Sequence, residues 1–424
     1  MRAIIVGAGI TGPVTAMALQ KAGIEATVHE AYDRTADGVG AYLTLAPNGL
    51  AALRVLGVDH RDLGGFDTPA LELRGADGRV LARLGMGRDD AAGTVSQTVR
   101  RSDLYTRLRD EAVRRGIPVE YGKRLVDAAV VPGGAGVVAG ADGVGGSSRA
   151  GAAGVVASFA DGTTAEGDLL IGADGLHSRT RAILDPTCPP PRYTGLLNTG
   201  GYASGVTVDG PPGVFTMTFG KRAFFAYANR GPGDVWWFAN VPRAREASAD
   251  ELAAWTPERW RSELERLFAD DAGPALELIA ATPQVIGPWN TLDLPRVPVW
   301  HRGPIGLVGD AAHGISPTSG QGASLAIEDG VLLARFLRDH RDPAEAFAAF
   351  EALRRHRVER LIAQAKRTSN QKIPNPLTRV LRDRAILPLV SRAAARSTKD
   401  WVTDYRIDWN TPADQDTPAG RLRA

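Results

Sequence analysis

Short apolar runs alternate with an amphipathic stretch at the start of the chain. Residues 3–6 form an apolar run, residues 11–22 place apolar side chains at helical spacing, and residues 26–30 form a second run that ends in an acid. Such runs bounded by glycine are typical of buried strands, and the 3.6-residue spacing is typical of a helix. The pattern predicts a strand, a helix and a strand, with further buried strands at 169–171 and 305–308.

The middle of the chain has a different pattern, in which aromatic residues alternate with small or polar ones. Between residues 186 and 288 they concentrate in runs separated by Gly and Asn turns, which predicts antiparallel strands. Because side chains alternate across a strand, Phe225 and Tyr227 share one face, and Trp236 and Trp237 point to opposite faces. We expect a helix to cover one face and a ligand to meet the other, and the pattern does not say which.

Periodic apolar positions predict several helices in the second half of the chain. Residues 249–268 predict one amphipathic helix, residues 344–368 a long helix, and residues 377–395 another helix after a break at KIPNPL. The tail after Trp401 has few packing positions beyond Trp409, and we expect it to be frayed.

Composition narrows the class of protein. The chain has 424 residues, a net charge of +2 and 44% hydrophobic residues, which is typical of a globular protein with two folding units. A nearly neutral chain argues against nucleic-acid binding, and the arginines between 354 and 360 alternate with glutamates as on a solvated helix face. The single cysteine, Cys188, excludes an internal disulfide and fits a reducing compartment.

No pattern in the sequence indicates a membrane protein. A strand is predicted directly after Met1, which leaves no room for a signal peptide, and no apolar run is long enough to span a bilayer. These observations predict a cytoplasmic protein with no stable membrane association.

A glycine motif joins the first strand to the first helix. Gly7, Gly9 and Gly12 have the G-x-G-x-x-G spacing, in which the first glycine permits a tight turn, the second admits a pyrophosphate and the third packs helix on strand. Glu30 ends the second strand, where an acid accepts hydrogen bonds from a ribose and repels a 2′-phosphate. The motif predicts an ADP moiety, as in FAD or NAD rather than NADP. The glycines from 134 to 146 precede no helix and are interpreted as a hairpin loop.

Three later segments place charged groups at the ends of predicted elements. Arg100 and Arg101 precede a helix that we expect Ser102 to cap, so an arginine there is able to reach an anion. Asp174 follows a buried strand at a turn. The segment GDAAHGISPTSGQGASLAIED, residues 309–329, follows another buried strand. Its small residues let the main chain approach a flat or negatively charged ligand at the start of a helix.

These motifs together resemble the group A flavoprotein monooxygenases, the para-hydroxybenzoate hydroxylase family. The resemblance rests on the glycine motif with its acid, on RRSDL, on GADGLHSRTR and on the segment 309–329, and it covers the chain to about Asn370. It implies FAD as cofactor, NADPH or NADH as transient reductant, and O2 as co-substrate. The residues that it implies at the FAD site are Gly7, Gly9, Gly12, Glu30, Arg101, Asp174, Gly309, Asp310, Pro317, Gly320 and Gly322.

The resemblance also implies a role for several of these residues. Arg101 would reach the pyrophosphate or ribityl region, and Asp310 would bond the ribityl hydroxyls. Pro317 and the main chain at 320–322 would line the isoalloxazine ring, with the following helix N-terminus stabilising negative charge on the reduced flavin. His313 is interpreted as structural, because the segment shows no neighbouring nucleophile or partner for it.

The implied fold is α/β, with a Rossmann-like FAD-binding domain, a discontinuous and mainly antiparallel β-sheet substrate domain, and C-terminal helices. Residues 66–94 contain a hairpin pattern, LELRGADGRVLARL, and are therefore assigned to the substrate domain. The expected limits are 1–65, 95–185 and 289–372 for the FAD-binding domain, 66–94 and 186–288 for the substrate domain, and 373–424 for a C-terminal helical segment and tail.

The implied function is that of an NAD(P)H-dependent monooxygenase that hydroxylates an aromatic or polyketide-like small molecule through a flavin C4a-hydroperoxide. The cofactor carries the chemistry, and no catalytic base stands out. Tyr202 and Tyr227 are candidates to hydrogen-bond a substrate phenol. The protein is expected to be a monomer or a homodimer.

Other functions stay open at this point. A flavin-dependent halogenase is disfavoured because DVWWFANVP lacks the Gly-Trp-x-Trp-x-Ile-Pro spacing. A plain NAD-dependent dehydrogenase would leave the segment 309–329 without a purpose. A flavoprotein whose FAD serves no redox reaction, such as a cyclase or a ligand-binding protein, is compatible with the same motifs, because FAD motifs do not report turnover.

Overall fold

The computed structural model shows an α/β protein and describes residues 1–33, 40–87, 94–132, 154–317, 320–371 and 401–416. The strands are β1 (Arg2–Val6), β2 (Glu25–His29), β3 (Tyr42–Leu45), β4 (Phe66–Thr68), β5 (Ala70–Gly75), β6 (Val80–Gly85), β7 (Ser96–Arg100), β8 (Val119–Glu120), β9 (Leu125–Val131), β10 (Gly154–Phe159), β11 (Thr164–Gly167), β12 (Leu169–Gly172), β13 (Arg192–Ser204), β14 (Val214–Phe219), β15 (Phe224–Gly231), β16 (Asp234–Pro242), β17 (Ile286–Asp293), β18 (His301–Arg302) and β19 (Ile305–Leu307). The helices are α1 (Thr11–Lys21), α2 (Pro47–Val55), α3 (Arg101–Arg114), α4 (Arg179–Leu184), α5 (Ala249–Ala253), α6 (Pro257–Phe268), α7 (Ala275–Ala280), α8 (Asp310–His313), α9 (Gly322–Asp339) and α10 (Pro343–Gln371).

A six-stranded sheet in the order β18-β19-β12-β1-β2-β8 forms the framework of the expected FAD-binding domain, hereafter the FAD-binding part. All neighbouring strands are parallel except β18 and β19. Ile5 and Leu170 are fully buried in its central strands, as expected for a parallel sheet with both faces covered. The predicted strands and α1 are confirmed to within one or two residues.

A seven-stranded sheet in the order β17-β13-β16-β15-β14-β5-β6 forms the second layer. Its neighbours are antiparallel apart from the parallel pair β14 and β5. The predicted hairpin in LELRGADGRVLARL is confirmed as β5 and β6. Two three-stranded sheets, β3-β7-β4 and β11-β10-β9, complete the described topology.

The two faces of the seven-stranded sheet have different neighbours. Phe225, Tyr227 and Trp237 pack with Trp260 of α6, so α5, α6 and α7 cover this face. The opposite face carries three phenylalanines that pack with Tyr42 of β3 and Phe66 of β4: Phe215, Phe224 and Phe238. The structure thereby decides which face is covered by helices and which meets the FAD-binding part.

The single helix predicted for residues 249–268 is wrong, because the structure divides it into α5 and α6. Pro257 has no N–H and occupies the first turn of α6, while the Thr256 side chain accepts a hydrogen bond from Arg259 N. A proline at this position begins a helix more readily than it continues one.

Ser102 does not cap α3, contrary to the prediction. The helix begins at Arg101, two residues earlier than a Ser102 cap would require, and its N-cap residue is Arg100, which makes no capping hydrogen bond through its side chain. Ser102 Oγ instead donates to Asp103 Oδ1 over 3.3 Å.

The tail beyond Trp409 is also different from the prediction. Ala413 is fully buried, its N–H donates to Asp339 Oδ2 over 2.8 Å, and it begins a 3-10 helix, Ala413–Asp416. The packing of this tail depends on partners in α9 that are distant in sequence.

Other predictions are not tested here. Strand β4 of the expected substrate domain pairs with β7 of the expected FAD-binding domain, and β17 runs across the expected limit at 288. These observations do not define the domain limits, which stay a prediction. The loop at 134–146 and the helix at 377–395 lie outside the described residues. No helix in the described part of the chain is long and apolar enough to cross a membrane.

Candidate active site

The predicted motifs meet at one edge of the six-stranded sheet. Because β19, β12, β1 and β2 are neighbours and parallel, their carboxyl ends lie side by side. The glycine loop follows β1, Glu30 follows β2, Asp174 follows β12 and Asp310 follows β19. In open α/β sheets this edge is where ligands bind.

The glycine loop combines close packing with one open position. Gly7 has φ +103°, and a Cβ there would lie 2.6 Å from Ala173 O. A Cβ on Gly12 would lie 1.9 Å from Gly7 O, whereas one on Gly9 would meet no atom within 4 Å. The protein itself therefore requires glycine at 7 and 12, while Gly9 keeps a space open beside the N-terminus of α1.

Glu30 is fixed beside this loop by two backbone N–H groups. Its Oε2 accepts from Ala8 N over 2.6 Å, and its Oε1 accepts from Tyr32 N over 3.1 Å. Helix α1 has no side-chain cap and no acid in its first turn, so its first N–H groups are free for an anion. Glu30 and the helix N-terminus are the positions at which the sequence predicts the ribose and the pyrophosphate of an ADP moiety.

Asp174 organises the turn that it belongs to. Its Oδ1 accepts from Ser178 Oγ over 2.6 Å, and its Oδ2 accepts from Thr180 N and Oγ1 over 2.9 and 3.0 Å. Arg181, which the sequence analysis did not single out, donates to Leu176 O and to Ala311 O over 2.6 and 3.0 Å. This buried arginine joins the turn after β12 to α8.

Helix α8 presents Asp310 close to Arg101. Burial raises the pKa of the Asp310 carboxyl, and the charges of His313 and Arg101 oppose that rise. Arg101 Nε donates to Tyr105 Oη over 2.5 Å, and a Cβ on Gly40 would lie 3.1 Å from the Arg101 side chain. Arg101 and Asp310, which are distant in sequence, are thus neighbours.

His313 has a partner that the sequence analysis did not recognise. Its Nε2 donates to Asp329 Oδ2 over 2.5 Å, and both side chains are buried. Asp329 Oδ1 accepts from Arg354 Nε over 2.8 Å. Arg354 is fully buried, so its assignment to a solvated helix face is wrong.

The start of α9 is a second uncapped helix N-terminus. Gly320 has φ +64° and donates its N–H to Pro317 O over 3.1 Å. The N-cap residue Gln321 makes no capping hydrogen bond, and the first turn, which begins at Gly322, contains no acid. These N–H groups point away from the helix and are suited to a negatively charged ring edge.

The arrangement fits FAD. The open side of Gly9 and the free N-terminus of α1 fit a pyrophosphate, and the uncapped start of α9 fits the ring of a reduced flavin. Asp310 lies on the turn after β19, for which the resemblance predicts a contact with the ribityl chain. The assignment of individual residues to FAD stays a prediction.

An aromatic cluster lies on the sheet face that meets the FAD-binding part. The ring of Trp236 is 5.2 Å from Phe66, 5.7 Å from Tyr42 and 5.2 Å from Tyr202. The guanidinium of Arg100 lies 4.7 Å from the centre of the Tyr202 ring and 5.3 Å from that of Trp236. Arg100 directly precedes Arg101, so the backbone links this cluster to the Asp310 region.

Tyr227 lies on the other face of the sheet. It packs with Trp237 and Trp260 beneath the helices, and its hydroxyl bonds to Thr216. The strand alternation directs Tyr227 into the helix-covered core, which does not favour a contact with substrate, and its substrate role stays a prediction. Tyr202 lies on the face that meets the FAD-binding part, and burial raises the pKa of its hydroxyl.

Comparison with known proteins decides the family. A family model described as FAD binding domain matches residues 1–365. FAD-dependent urate hydroxylase from Klebsiella pneumoniae is 30% identical over 372 residues, which cover 87% of this chain and 89% of the relative. The chain belongs to the group A FAD-dependent monooxygenases.

Other relatives of this group A monooxygenase act on further small molecules. A 6-hydroxynicotinate 3-monooxygenase from Bordetella bronchiseptica is 30% identical, with 85% of this chain and 89% of the relative covered. The crystal structure of the Klebsiella pneumoniae enzyme HpxO with FAD and uric acid has a TM-score of 0.75 and 26% identity, and covers 99% of this chain and 98% of that one. The fold and the FAD cofactor predicted from the sequence are confirmed.

Proposed function

We propose that this monooxygenase hydroxylates a small planar aromatic molecule that carries a negative charge. The observation that supports the proposal is the cluster of Tyr42, Trp236 and Tyr202 with Arg100 at its margin, on the sheet face that meets the FAD-binding part. Apolar and aromatic side chains with a few polar groups are the usual lining of a small-molecule site. Bound FAD, reduced by NADPH or NADH, supplies the activation of O2.

Arg100 is the group in this cluster that is suited to an anion. Its guanidinium lies over the rings of Tyr202 and Trp236, and the side chain is exposed. Among the described residues it has no carboxylate partner, whereas the nearby Arg230 is paired with Asp234 over 2.7 Å. An exposed guanidinium beside aromatic rings is suited to donate N–H groups to a carboxylate or an ionised heterocycle.

The relatives are consistent with such a substrate. Those named above are described as acting on urate and 6-hydroxynicotinate, and a relative from Streptomyces platensis, 29% identical, is described as acting on 3-amino-4-hydroxybenzoate. Nicotinate and benzoate carry carboxylates on planar rings. We extend from these names only the class of compound, a planar aromatic anion.

The redox function is tested by the visible spectrum of the holoenzyme. We expect a flavin band that bleaches when NADPH or NADH is added without oxygen and returns when air is admitted, faster in the presence of a hydroxylated aromatic acid. A flavin band that no nicotinamide reduces, with or without aromatic acids, would instead favour the non-redox cyclase or ligand-binding alternative. Chlorinated product in the presence of chloride would favour the halogenase.

The Arg100→Gln variant tests recognition of the anion. We expect its KM for aromatic acids such as 4-hydroxybenzoate to rise by about 10- to 100-fold, since a charge-assisted hydrogen bond contributes about 1.5–3 kcal/mol. The affinity for FAD should stay unchanged, because the contacts that the structure shows for the Arg100 side chain are with Tyr202 and Trp236 rather than with the glycine loop or α8. Methyl 4-hydroxybenzoate is the neutral control, and an equal effect of the substitution on the acid and the ester would contradict the proposal.

The proposal also includes three expectations that rest on the resemblance and on the sequence. The reductant is NADPH or NADH, the protein is a monomer or a homodimer, and its location is cytoplasmic.

A further inference from the structure

The buried guanidinium of Arg354 in α10 contacts two acids of α9, and Arg357 of the same helix also donates to Glu328, to Oε1 over 3.0 Å and to Oε2 over 3.3 Å. Arg354 Nη1 donates to Glu328 Oε2 over 2.7 Å, and Arg354 Nε donates to Asp329 Oδ1 over 2.8 Å. The side chains of Arg354 and of the two acids have no exposed surface. Arg354 therefore holds two consecutive carboxylates at fixed positions in the interior of the FAD-binding part.

Asp329 extends this contact to α8, at the beginning of the segment 309–329. Its Oδ2 accepts from Gly309 N over 2.9 Å and from His313 Nε2 over 2.5 Å. These two donors lie on either side of Asp310 and define the one-turn helix α8. The carboxylate that Arg354 holds thus fixes the turn that presents Asp310.

Glu328 extends the contact to the N-terminus of α9, later in the same segment. Its Oε1 accepts from Asn48 Nδ2 over 2.6 Å, and the same Nδ2 lies 3.3 Å from Gln321 Oε1. Gln321 is the N-cap residue of α9, whose first N–H groups are suited to the flavin ring. Helix α8 and the start of α9 are therefore connected to Arg354 through one carboxylate each.

Such a buried ionic cluster is costly unless every group is satisfied. Burial opposes the charge on Asp329, but His313 and Arg354 hold its pKa below the usual value. Replacing buried ion pairs by apolar residues is often neutral or stabilising, whereas removing one partner costs about 3–5 kcal/mol. A cluster that only stabilised the fold would have no need to contact both α8 and the start of α9.

We propose that Arg354 is a positioning residue for FAD, which aligns the Asp310 turn and the start of α9 with each other. Arg354 acts through Asp329 on the first and through Glu328 and Asn48 on the second. It touches neither substrate nor cofactor. The inference requires FAD binding and is independent of which aromatic molecule is hydroxylated.

The test compares four variants by FAD affinity and flavin spectrum. Arg354→Met removes both hydrogen bonds of Arg354 to the two acids, while Arg357 still donates to Glu328. Arg354→Lys keeps the charge, and Asn48→Ala removes only the branch to Gln321. Arg355→Met is the matched control, since the neighbouring Arg355 bonds to Glu351 and to Val297 O, away from the segment. FAD dissociation constants, visible flavin circular dichroism, flavin reduction potential and apoprotein melting temperature are measured for each.

We expect Arg354→Met to weaken FAD binding at least tenfold and to change the flavin circular dichroism and the reduction potential. Arg354→Lys should recover part of the affinity, and Asn48→Ala should change the flavin signals while the apoprotein melts near the wild-type temperature. If Arg354→Met does not fold, the Asn48→Ala result decides.

The proposal is overturned by either of two results. One is wild-type FAD affinity and flavin signals in Arg354→Met or, where that variant does not fold, in Asn48→Ala. The other is a loss of FAD affinity in Arg354→Met that is explained by its lower apoprotein melting temperature. In that case the ratio of affinity loss to melting-temperature loss equals that in Arg355→Met, and Asn48→Ala shows no spectral change. None of these measurements uses turnover, so failure of this proposal can be told apart from failure of the proposed redox function.

Discussion

Gly7, Gly9 and Gly12 have one spacing in the sequence but three different environments. Gly7 needs a positive φ, and Gly12 lies against the carbonyl oxygen of Gly7, so a side chain at either position collides with backbone. Gly9 has free space around the position of a Cβ. At the scale of single residues, the motif therefore combines two requirements of the fold with one requirement of the ligand.

Substitution of these glycines separates the two requirements. Gly9→Val should leave the apoprotein melting temperature near the wild-type value and lower FAD affinity at least tenfold, about 1.4 kcal/mol, because the side chain fills the ligand space. Gly12→Ala should destabilise the apoprotein by about 1–3 kcal/mol or more, because its Cβ overlaps the Gly7 carbonyl. Apoprotein thermal unfolding and FAD fluorescence titration measure both effects. Equal loss of stability in the two variants would contradict this explanation.

The arginines of α10 show the same dependence on environment. Arg354 is fully buried against two acids, while the adjacent Arg355 pairs with Glu351 near the surface. The sequence interpretation assigned both to a solvated face. A charged residue is buried when the fold supplies its partners, and Glu328 and Asp329 lie on a different helix.

At the scale of elements, the seven-stranded sheet separates two tyrosines that the sequence analysis had grouped together. Tyr202 of β13 pairs with Trp236 of β16, and Tyr227 of β15 pairs with Trp237. Because paired residues share a face and Trp236 and Trp237 point to opposite faces, the two tyrosines lie on opposite faces of the sheet. Tyr227 stabilises the contact with α6, and Tyr202 lies beside Arg100.

Phenylalanine variants test this separation. Tyr227→Phe loses a buried hydrogen bond to Thr216 and should destabilise the protein by about 1 kcal/mol, with unchanged KM for the aromatic acid. Tyr202→Phe should leave stability nearly unchanged and alter KM or kcat. Urea unfolding and steady-state kinetics on both variants provide the measurement. A kinetic effect of Tyr227→Phe larger than that of Tyr202→Phe would reverse the assignment of the faces.

At the scale of the whole molecule, the C-terminal segment 401–416 closes over α9 and α10. Arg335 and Arg357 donate to the backbone carbonyls of Asp408 and of Trp401, each over 2.7 Å. Tyr405 stacks beneath Arg354 and Arg357, at 5.7 and 4.3 Å. The segment thus covers the buried arginine that is connected to the flavin segment.

Removal of this segment should affect both stability and FAD binding. A chain that ends after residue 400 should lose about 3 kcal/mol or more, because each hydrogen bond from a charged group contributes about 1.5–3 kcal/mol. FAD affinity should fall together with stability. Thr411→Ala in the full chain is the control, since its hydroxyl donates to Asp408 Oδ2 within the same segment over 2.6 Å. A truncated chain that melts and binds FAD like the full chain would show that the segment has no such role.

The sequence by itself determined most elements, their order and a cofactor with an ADP moiety, and the resemblance of its motifs implied FAD. Local rules suffice for these, because periodicity, glycine spacing and a terminal acid act within about thirty residues, as in the βαβ unit that contains Gly7 and Glu30. It also determined that Trp236 and Trp237 oppose each other. It failed where one residue changes a boundary, as at Pro257 and Ser102.

Only the tertiary structure decided which face of the sheet is covered by helices, and therefore that Tyr227 lies in the helix-covered core while Tyr202 lies beside Arg100. It also decided that Arg354 is buried and that Ala413 is packed. The physical reason is the same in each case. Burial of a charge or a tail depends on partners far away in the chain, here Asp329 and Asp339, and no local pattern reports which distant elements will become neighbours.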